Sequence, residues 1–468
     1  MNIVRFKPKL MAIGDSLAQG CRSLTVKASF CAQSWSARIA QAQSWKFAVP
    51  DHREAVLFDL EMEIRRLDPV VLSPQNLSFI GLGDRVRNNF HRWCETPGRS
   101  AYECFDNLGV AGSEVHDLYS LTSGDCAKIV NEAAGKDTRD WLKLAQELHL
   151  PINARFVLNP QQKAAYDKFS PLDWVDHRQP ETLLVQTGHN HGLFPFGFEA
   201  KDQPTITKGD HDGLDYWGQW QKVAERLANL PASTKHILVM LLPKVGGVAE
   251  LHPTSPKRFN GYAPFYEPRI LPVANILRGA RVAEIDRLIQ EVNRTIEKIV
   301  RDAAKMTGTE NRLTFVDAYQ ELDSLDYKNS LDPKRQLKLT GKITIDNRYL
   351  DGKPNFPDIL GGKLTAGGFQ SVDGMHPSGV GYADLASQAM TALGLPHSSA
   401  DREKLLRRAY DEDTLLSQYP LELDMLVRIV DITRSLIHRN QFVPAMPTTA
   451  AEEPHLALVL PALARAVS

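Results

Sequence analysis

Three residues from the two ends of the chain have the types and spacing that nucleophilic catalysis requires. Ser16 follows a short apolar segment, in the sequence Gly-Asp-Ser-Leu at residues 14–17. Asp373 precedes His376 by three residues, with Gly374 between them, so a tight turn would let the carboxylate hold one ring nitrogen. The pattern predicts a Ser16–His376–Asp373 triad. Each piece alone is more typical of an ordinary turn or of a turn before a surface helix, and only the combination favours catalysis.

Two glycine-containing segments could supply the hydrogen-bond donors that such a triad needs. Residues 107–113 read Asn-Leu-Gly-Val-Ala-Gly-Ser, follow a predicted strand and can present a backbone N–H. Residues 188–192 read Gly-His-Asn-His-Gly, follow another predicted strand and can present the side-chain amide of Asn190. Together with the N–H of Ser16, these groups would form an oxyanion hole with three donors.

Taken in order, these four blocks resemble the GDSL (SGNH) hydrolase family. The match runs from about residue 10 to residue 395 and depends on the residues around the blocks. The resemblance implies a flavodoxin-like fold, hydrolysis of carboxylic esters or thioesters, and no metal or other cofactor. It assigns catalysis to Ser16, Asp373 and His376, and the oxyanion hole to Ser16, Gly112 and Asn190.

The chain departs from the family pattern at one position and is ambiguous at another. The third block of the family commonly ends in Asp, whereas this chain has His191 after Asn190. Gly109 is an alternative to Gly112 as a donor, and we prefer Gly112 because it aligns better with the glycine of the family. The nucleophile motif Gly-x-Ser-x-Gly fails at Ala18, which argues against the ordinary α/β-hydrolase family.

Two segments have the look of metal sites, and we expect neither to bind a metal. His189 and His191 flank Asn190 and would need a third ligand. Residues 208–215 are rich in Asp and Gly but lack the glutamate at the twelfth position of an EF-hand loop, so a solvated loop is the better interpretation.

Aromatic residues after Asn190 bear on the substrate. Phe194, Phe196 and Phe198 either line an acyl pocket or anchor their loop in the core. The aromatic residues at 258–268 are candidates for the same apolar wall of that pocket. An apolar wall favours esterase or lipase activity on a hydrophobic acyl ester, including a phospholipid. The alternatives are a carbohydrate or peptidoglycan acetyl-esterase and a catalytically silent binding protein.

The elements that must position these residues alternate along the chain. Five short apolar segments predict buried strands at residues 10–13, 103–108, 182–187, 236–242 and 313–317. Helical patterns lie between and after them, at residues 34–42, 217–230, 282–305 and 380–393. Alternating strands and helices predict an α/β fold, a three-layer α/β/α sandwich around a mostly parallel five-stranded sheet.

Long connections and a change of composition suggest how the chain is organised. We predict a hydrolase domain at residues 1–395, with insertions at about 51–100, 118–180, 243–280 and 323–370. Residues 396–468 are predicted to form a C-terminal helical extension and tail, with two helices between 405 and 440. These helices either pack on the domain or make a dimer contact, so the oligomeric state stays open.

The overall composition excludes some partners. The 468 residues carry 55 Lys and Arg against 56 Asp and Glu, a net charge of -1, which predicts no nucleic-acid partner. Apolar runs are too short for a membrane span, and no signal peptide is evident. Five cysteines, all within the first 126 residues, fit a reducing compartment and a cytoplasmic location better than a disulfide framework. Cys21–Cys31 and Cys94–Cys104 bridges are the alternative.

Overall fold

The fold was obtained as a computed structural model. It describes residues 7–66, 81–95, 100–134, 140–191, 212–254, 261–270, 277–329, 337–340, 343–355, 358–424 and 426–428.

The strands and helices alternate along the first two thirds of the chain. The strands are β1 (Leu10–Gly14), β2 (Asn107–Gly109), β3 (Thr182–Gln186), β4 (His236–Met240), β5 (Leu251–Pro253), β6 (Phe265–Pro268), β7 (Leu277–Arg278), β8 (Leu313–Val316), β9 (Leu337–Thr340), β10 (Ile343–Ile345), β11 (Asp351–Asn355) and β12 (Asp358–Ala366). The α-helices are α1 (Ser16–Gln19), α2 (Ala28–Cys31), α3 (Trp35–Ala42), α4 (Leu60–Arg65), α5 (Leu82–Glu95), α6 (Asp117–Ser120), α7 (Ser123–Ala134), α8 (Trp141–Leu158), α9 (Pro171–Arg178), α10 (Tyr216–Ala228), α11 (Gly279–Thr307), α12 (Ala318–Ser324), α13 (Gly379–Ala392), α14 (Ser399–Glu412) and α15 (Thr414–Ser417). Short 3₁₀ turns occur at Ala164–Tyr166, Val245–Gly247 and Glu310–Arg312.

A five-stranded parallel sheet lies at the centre of the molecule, as the sequence predicted. Its strand order is β2-β1-β3-β4-β8, and each neighbouring pair is parallel. Every residue of β1 and β3 is buried, which suits their continuous apolar sequences. Because all five strands point the same way, the segments that follow β1, β2 and β3 emerge at one edge of the sheet.

The second strand differs from its prediction at residues 103–108, since pairing covers only Asn107–Gly109. The physical reason lies at Asp106. The Asp106 N–H donates to the carbonyl of Ala48 at 2.7 Å, and the Asp106 carboxylate accepts from the Ala48 N–H at 2.8 Å. The residues before Asn107 are therefore held by this neighbouring segment, and the regular ladder with β1 begins later.

The four predicted helices are confirmed to within three residues at each end, as α3, α10, α11 and α13. Side chains cap three of them: Ser34 accepts from Ala37 N–H, Asp215 from Gly218 N–H, and Ser378 from Gly381 N–H. Helix α3 packs against α13, and α10 packs against α11.

The predicted insertions contain regular structure. The first two include α4 to α9, and the last two include three small antiparallel sheets, β5-β6-β7, β9-β10 and β11-β12. Helix α8 is the longest of these helices, and its residues Leu144, Leu148 and Ile152 are buried in the hydrophobic core. The insertions therefore contribute to the same core as the sheet.

Helices of the C-terminal extension also pack on the domain. Helix α14 begins at Ser399, earlier than the predicted start at residue 405, because Ser398 and Asp401 form a capping box. Leu405 and Leu415 are buried in the shared core. The buried Arg38 contacts Glu412 at 2.6 Å. Residues 429–468, which include the end of the second predicted helix, lie outside the described part.

The described residues bear on two further predictions. All five cysteines are free thiols, so neither alternative disulfide is present. Among the helices that the structure describes, none combines the length and the apolar character needed to cross a membrane.

Candidate active site

Ser16 stands where β1 ends and α1 begins, at the edge of the parallel sheet. Gly14, two residues earlier, has a φ of 143°, and a Cβ there would lie 1.7 Å from the carbonyl oxygen of Gln186. Only glycine fits this approach of β1 to β3. The Asp15 side chain then accepts from the Leu17 N–H at 3.0 Å and caps the helix. The sharp turn leaves Ser16 as the first helical residue, with an N–H that has no partner within the helix.

The block that contains Asp373 and His376 folds as the expected tight turn. Gly374 adopts a φ of 65°, in the left-handed region, and a Cβ there would lie 2.5 Å from the Glu250 backbone nitrogen. Asp373 Oδ1 accepts from the backbone N–H groups of Met375 and His376, each at 2.8 Å. These two bonds fix the carboxylate relative to the histidine that follows it.

The structure brings Ser16, Asp373 and His376 together. His376 Nδ1 lies 2.8 Å from Asp373 Oδ2, and His376 Nε2 lies 3.0 Å from Ser16 Oγ. The three side chains thus form one continuous hydrogen-bonded chain, with Asp373 fully buried and Ser16 9% exposed. Both distances lie within the reach that a base and its nucleophile need.

A loop that the sequence did not single out supports the carboxylate. Ser23 and Leu24 have positive φ angles of 53° and 51°, which are unusual for residues with a Cβ. This conformation directs the Leu24 N–H to Asp373 Oδ2 at 2.6 Å and the Ser23 N–H to Ser371 Oγ at 2.8 Å. Local backbone strain of this kind concentrates at functional sites.

The charges of the pair stabilise each other. Burial alone would raise the pKa of Asp373, but the His376 ring and the backbone N–H groups at Met375 and His376 hold it below its ordinary value. Burial alone would lower the pKa of His376, but the nearby Cys21 sulfur and the Asp373 carboxylate raise it well above its ordinary value. The ring is therefore a stronger base than a solvated histidine.

The loop after β2 settles which glycine has an available donor. The Gly109 N–H donates to the Asn107 side chain at 3.0 Å, and a Cβ at Gly109 would lie 2.4 Å from the Gln19 backbone nitrogen. The next N–H groups, of Val110, Ala111 and Ser113, also donate within the protein. Within the described part of the chain, the Gly112 N–H has no acceptor, and the residue is exposed. Gly112 can thus serve as a donor and Gly109 cannot.

Asn190 lies beside this loop. One N–H of its side-chain amide donates to the carbonyl of Ser113 at 2.8 Å, which leaves the second N–H of the same nitrogen for another acceptor. Ser113 in turn donates from Oγ to the Gly14 carbonyl at 3.1 Å. These bonds tie the loops after β1, β2 and β3 to one another at the edge where Ser16 lies.

Helix α8, from the predicted second insertion, covers one side of the site. Leu150 lies against Gly112, since a Cβ on that glycine would be 3.5 Å from Leu150 Cδ1. Asn153 is hydrogen-bonded to the side chain of Gln19, at the end of α1, at 3.0 Å. Burial and, to a smaller extent, the neighbouring His376 together lower the pKa of His149 to about 4, so the His149 ring is neutral at pH 7. Sequence reasoning missed this helix, because nothing in its periodicity indicates where it packs.

A pocket is lined by residues that neighbour Ser16 and His376 in the chain. Leu17 and Met375, the neighbours of Ser16 and His376 in the chain, line a pocket together with Val248 and Phe369. Phe194, Phe196 and Phe198 lie outside the described residues, so their predicted role stays a prediction. Of the aromatic residues in the 258–268 loop, Tyr266 is buried, and its hydroxyl accepts from the Ala263 N–H and bonds to Asn329, which is a structural role.

The two histidines beside Asn190 point to different partners. His189 Nδ1 lies 2.7 Å from Asp15 Oδ2, which braces the residue before the serine. His191 is buried and lies with Glu114 and His116 instead, in a group whose potential ligand atoms are all within 4.8 Å of one another. His189 and His191, which were considered as a metal-binding pair from the sequence, therefore contact different residues. Of the loop at 208–215, only residues 212–215 are described.

Comparison with protein-family models, with curated proteins and with solved structures finds no match to this chain. The chemistry of the site must therefore be inferred from its own residues and their geometry.

Proposed function

We propose that the chain is a serine hydrolase of the GDSL (SGNH) type that cleaves carboxylic esters. The observation that carries this proposal is the chain of contacts from Asp373 Oδ2 to His376 Nδ1, at 2.8 Å, and from His376 Nε2 to Ser16 Oγ, at 3.0 Å. A nucleophile, a base and a buried carboxylate that orients the base are the three parts of a Ser-His-Asp triad. The order of the motif blocks in the sequence supports the same family.

In the proposed mechanism, His376 Nε2 removes the hydroxyl proton of Ser16 as the oxygen attacks the ester carbonyl. Asp373 holds the ring through Nδ1 and stabilises the imidazolium that forms. His376 then gives the proton to the leaving alcohol, and Ser16 remains acylated. Water, activated by the same histidine, attacks the acyl group and regenerates the free serine.

The negative charge on the carbonyl oxygen is stabilised by three donors in this mechanism. They are the backbone N–H groups of Ser16 and Gly112 and the second side-chain N–H of Asn190. The bond from Asn190 to Ser113, at 2.8 Å, supports this role because it holds the amide against the Gly112 loop before substrate arrives. Donors that are oriented in advance need no reorganisation during the reaction.

We further propose that the domain is a flavodoxin-like three-layer sandwich. The strand order β2-β1-β3-β4-β8 corresponds to the order 2-1-3-4-5 of such doubly wound sheets. The pairing of α3 with α13 and of α10 with α11 supports one helical layer on each face. Ligands of such folds bind at the carboxyl ends of the strands, and the candidate triad lies at that edge.

For the substrate, we propose an ester with a hydrophobic acyl chain, including that of a phospholipid. Leu150 lies against Gly112, and Leu17 and Met375, the chain neighbours of Ser16 and His376, line a pocket. Apolar surfaces of this kind gain free energy by removing methylene groups from water. An acetyl-esterase acting on carbohydrate or peptidoglycan is the competing proposal for the same machinery.

A panel of p-nitrophenyl esters with acetyl, butyryl, octanoyl and palmitoyl chains tests this proposal. We expect the wild type to hydrolyse the longer esters at least as efficiently as the acetyl ester, and Ser16→Ala to hydrolyse none of them. A steep loss beyond the butyryl ester would favour the acetyl-esterase. Equal activity of the wild type and Ser16→Ala would refute the triad, and no activity in either would favour a binding protein.

A further inference from the structure

Three potential metal ligands converge from two loops beside the candidate active site. Glu114 and His116 lie on the loop between β2 and α6, and His191 follows β3. Their ligand atoms are all within 4.8 Å of one another. Val115, between the first two, is fully buried and anchors the loop, so the group is held by the fold.

The separations between these atoms match a metal site better than direct hydrogen bonds. Glu114 Oε2 lies 3.6 Å from His116 Nδ1 and 3.4 Å from His191 Nδ1. Hydrogen bonds between such groups usually measure about 2.7–3.2 Å. A tetrahedral zinc ion with ligands at about 2.05 Å places neighbouring ligand atoms about 3.3–3.4 Å apart, which is close to both distances.

The kinds of ligand favour zinc over the alkaline-earth ions. Two imidazoles and one carboxylate suit zinc and similar transition metals, whereas Mg²⁺ and Ca²⁺ prefer sites built from oxygen. Side-chain exposure falls from 35% at Glu114 to 18% at His116 and 1% at His191, so an ion can enter from one side of a largely buried site.

A carboxylate stands behind one of the histidines, as in many known zinc sites. His116 Nε2 lies 3.4 Å from Asp117 Oδ1, on the side of the ring away from Glu114. The other oxygen of Asp117 accepts from the Glu114 N–H at 2.7 Å, which fixes the carboxylate in place. At 3.4 Å this contact is longer than a hydrogen bond, so the carboxylate acts on the ring through its negative charge, which increases the basicity of the imidazole towards a metal.

We propose that Glu114, His116 and His191 form a binding site for a single zinc ion. Three protein ligands leave the fourth position of a tetrahedral ion to water. His191 occupies the position where the resembling family commonly has Asp, so the site is a feature of this chain's own residues.

The ion would join the two loops that carry Gly112 and Asn190. Ser113, which directly precedes Glu114, accepts the bond from Asn190, and His191 directly follows Asn190. Zinc therefore fixes the spacing between two of the three proposed oxyanion donors. This consequence rests on the proposed function, whereas zinc binding itself does not.

Zinc binding can be measured on the full-length protein without an affinity tag, after treatment with a chelator. We expect calorimetric titration with Zn²⁺ to give one site per chain, zinc to raise the unfolding temperature, and Co²⁺ to give the intense visible absorption of a tetrahedral site. Glu114→Gln and His116→Gln, both at partly exposed positions, should each weaken zinc binding by at least about tenfold to a hundredfold.

The controls separate this site from other histidines and from the triad. His91 is exposed on α5, so His91→Gln should bind zinc like the wild type. Ser16→Ala should also retain zinc, so that failure of the metal site and failure of the hydrolase proposal are distinguished. Absence of stoichiometric binding in the folded wild type, or binding that is unchanged in Glu114→Gln and His116→Gln, would overturn the proposal.

Discussion

Replacing Asp373 with asparagine tests how the candidate base is held in its working state. The carboxylate is fully buried and accepts five hydrogen bonds, one of which comes from Ser371 Oγ to Oδ1 at 3.4 Å. Oδ1 accepts from the backbone N–H groups of Met375 and His376, and Oδ2 accepts from the Leu24 N–H and from His376 Nδ1. An asparagine that keeps its oxygen at the first position must put its NH₂ group at the second.

That NH₂ group has two consequences of different size. The Leu24 N–H loses a buried acceptor, which reduces the free energy of unfolding by about 1–3 kcal/mol. More importantly, His376 must then accept at Nδ1 and carry its proton on Nε2, facing Ser16, where it cannot act as a base. In serine proteases with this triad, the same change lowers kcat about 10⁴-fold, equivalent to about 5.5 kcal/mol in the barrier.

The assay is steady-state hydrolysis of a p-nitrophenyl ester, with urea unfolding measured on the same preparations. Asp384→Asn is the matched control, because Asp384 on α13 is also a fully buried carboxylate. It accepts a hydrogen bond from Arg402 on α14 at 2.8 Å. The control should lose stability and keep its kcat. A folded Asp373→Asn variant whose kcat is within about tenfold of the wild type would refute the proposed role of the carboxylate.

Three further changes test the surroundings of the triad. Because the base must be neutral and the pKa of His376 is raised, kcat/KM should increase with pH through a midpoint above about 6.5; a midpoint below this value would contradict the electrostatic account. Asn190→Ala should lower kcat about 10²–10³-fold in steady-state assays, and an unchanged kcat would remove Asn190 from the oxyanion hole. Arg22→Met should reduce the free energy of unfolding, measured in urea, by about 3–5 kcal/mol, because it leaves two buried carboxylates without their cation. These carboxylates are Glu61 and Asp413, which Arg22 contacts at 2.9 and 3.0 Å. A loss below about 1 kcal/mol would show that this ion pair does not hold the C-terminal helices on the domain.

The sequence predicted the parts of the site that depend on local patterns. The segment before Ser16 is apolar and ends in Gly14, so both the strand and the sharp turn after it were evident. The three-residue spacing of Asp373 and His376 likewise predicted a turn, and the structure has it, with Gly374 at a φ of 65°. Alternation of apolar and amphipathic segments predicted the parallel sheet.

Features that depend on distant contacts could not be predicted in this way. Ser23 and Leu24 bind the turn at Asp373, although Leu24 and Asp373 are 349 residues apart in the sequence. Both residues have positive φ angles, which residues with a Cβ rarely adopt. The packing of Leu150 near Gly112 depends on how α8 is placed, which periodicity does not determine. The predicted start of β2 was wrong, because it depends on the contact of Asp106 with Ala48, which is also distant in the sequence.

The central claim is that His376 activates Ser16, and covalent labelling with a fluorophosphonate tests it most directly. We predict that intact-mass measurement will show one adduct on the wild type, that peptide mapping will assign it to Ser16, and that Ser16→Ala will remain unlabelled. Ser399→Ala, at an exposed serine on α14, should be labelled like the wild type. No adduct on the folded wild type, or an adduct on a serine other than Ser16, would contradict the account.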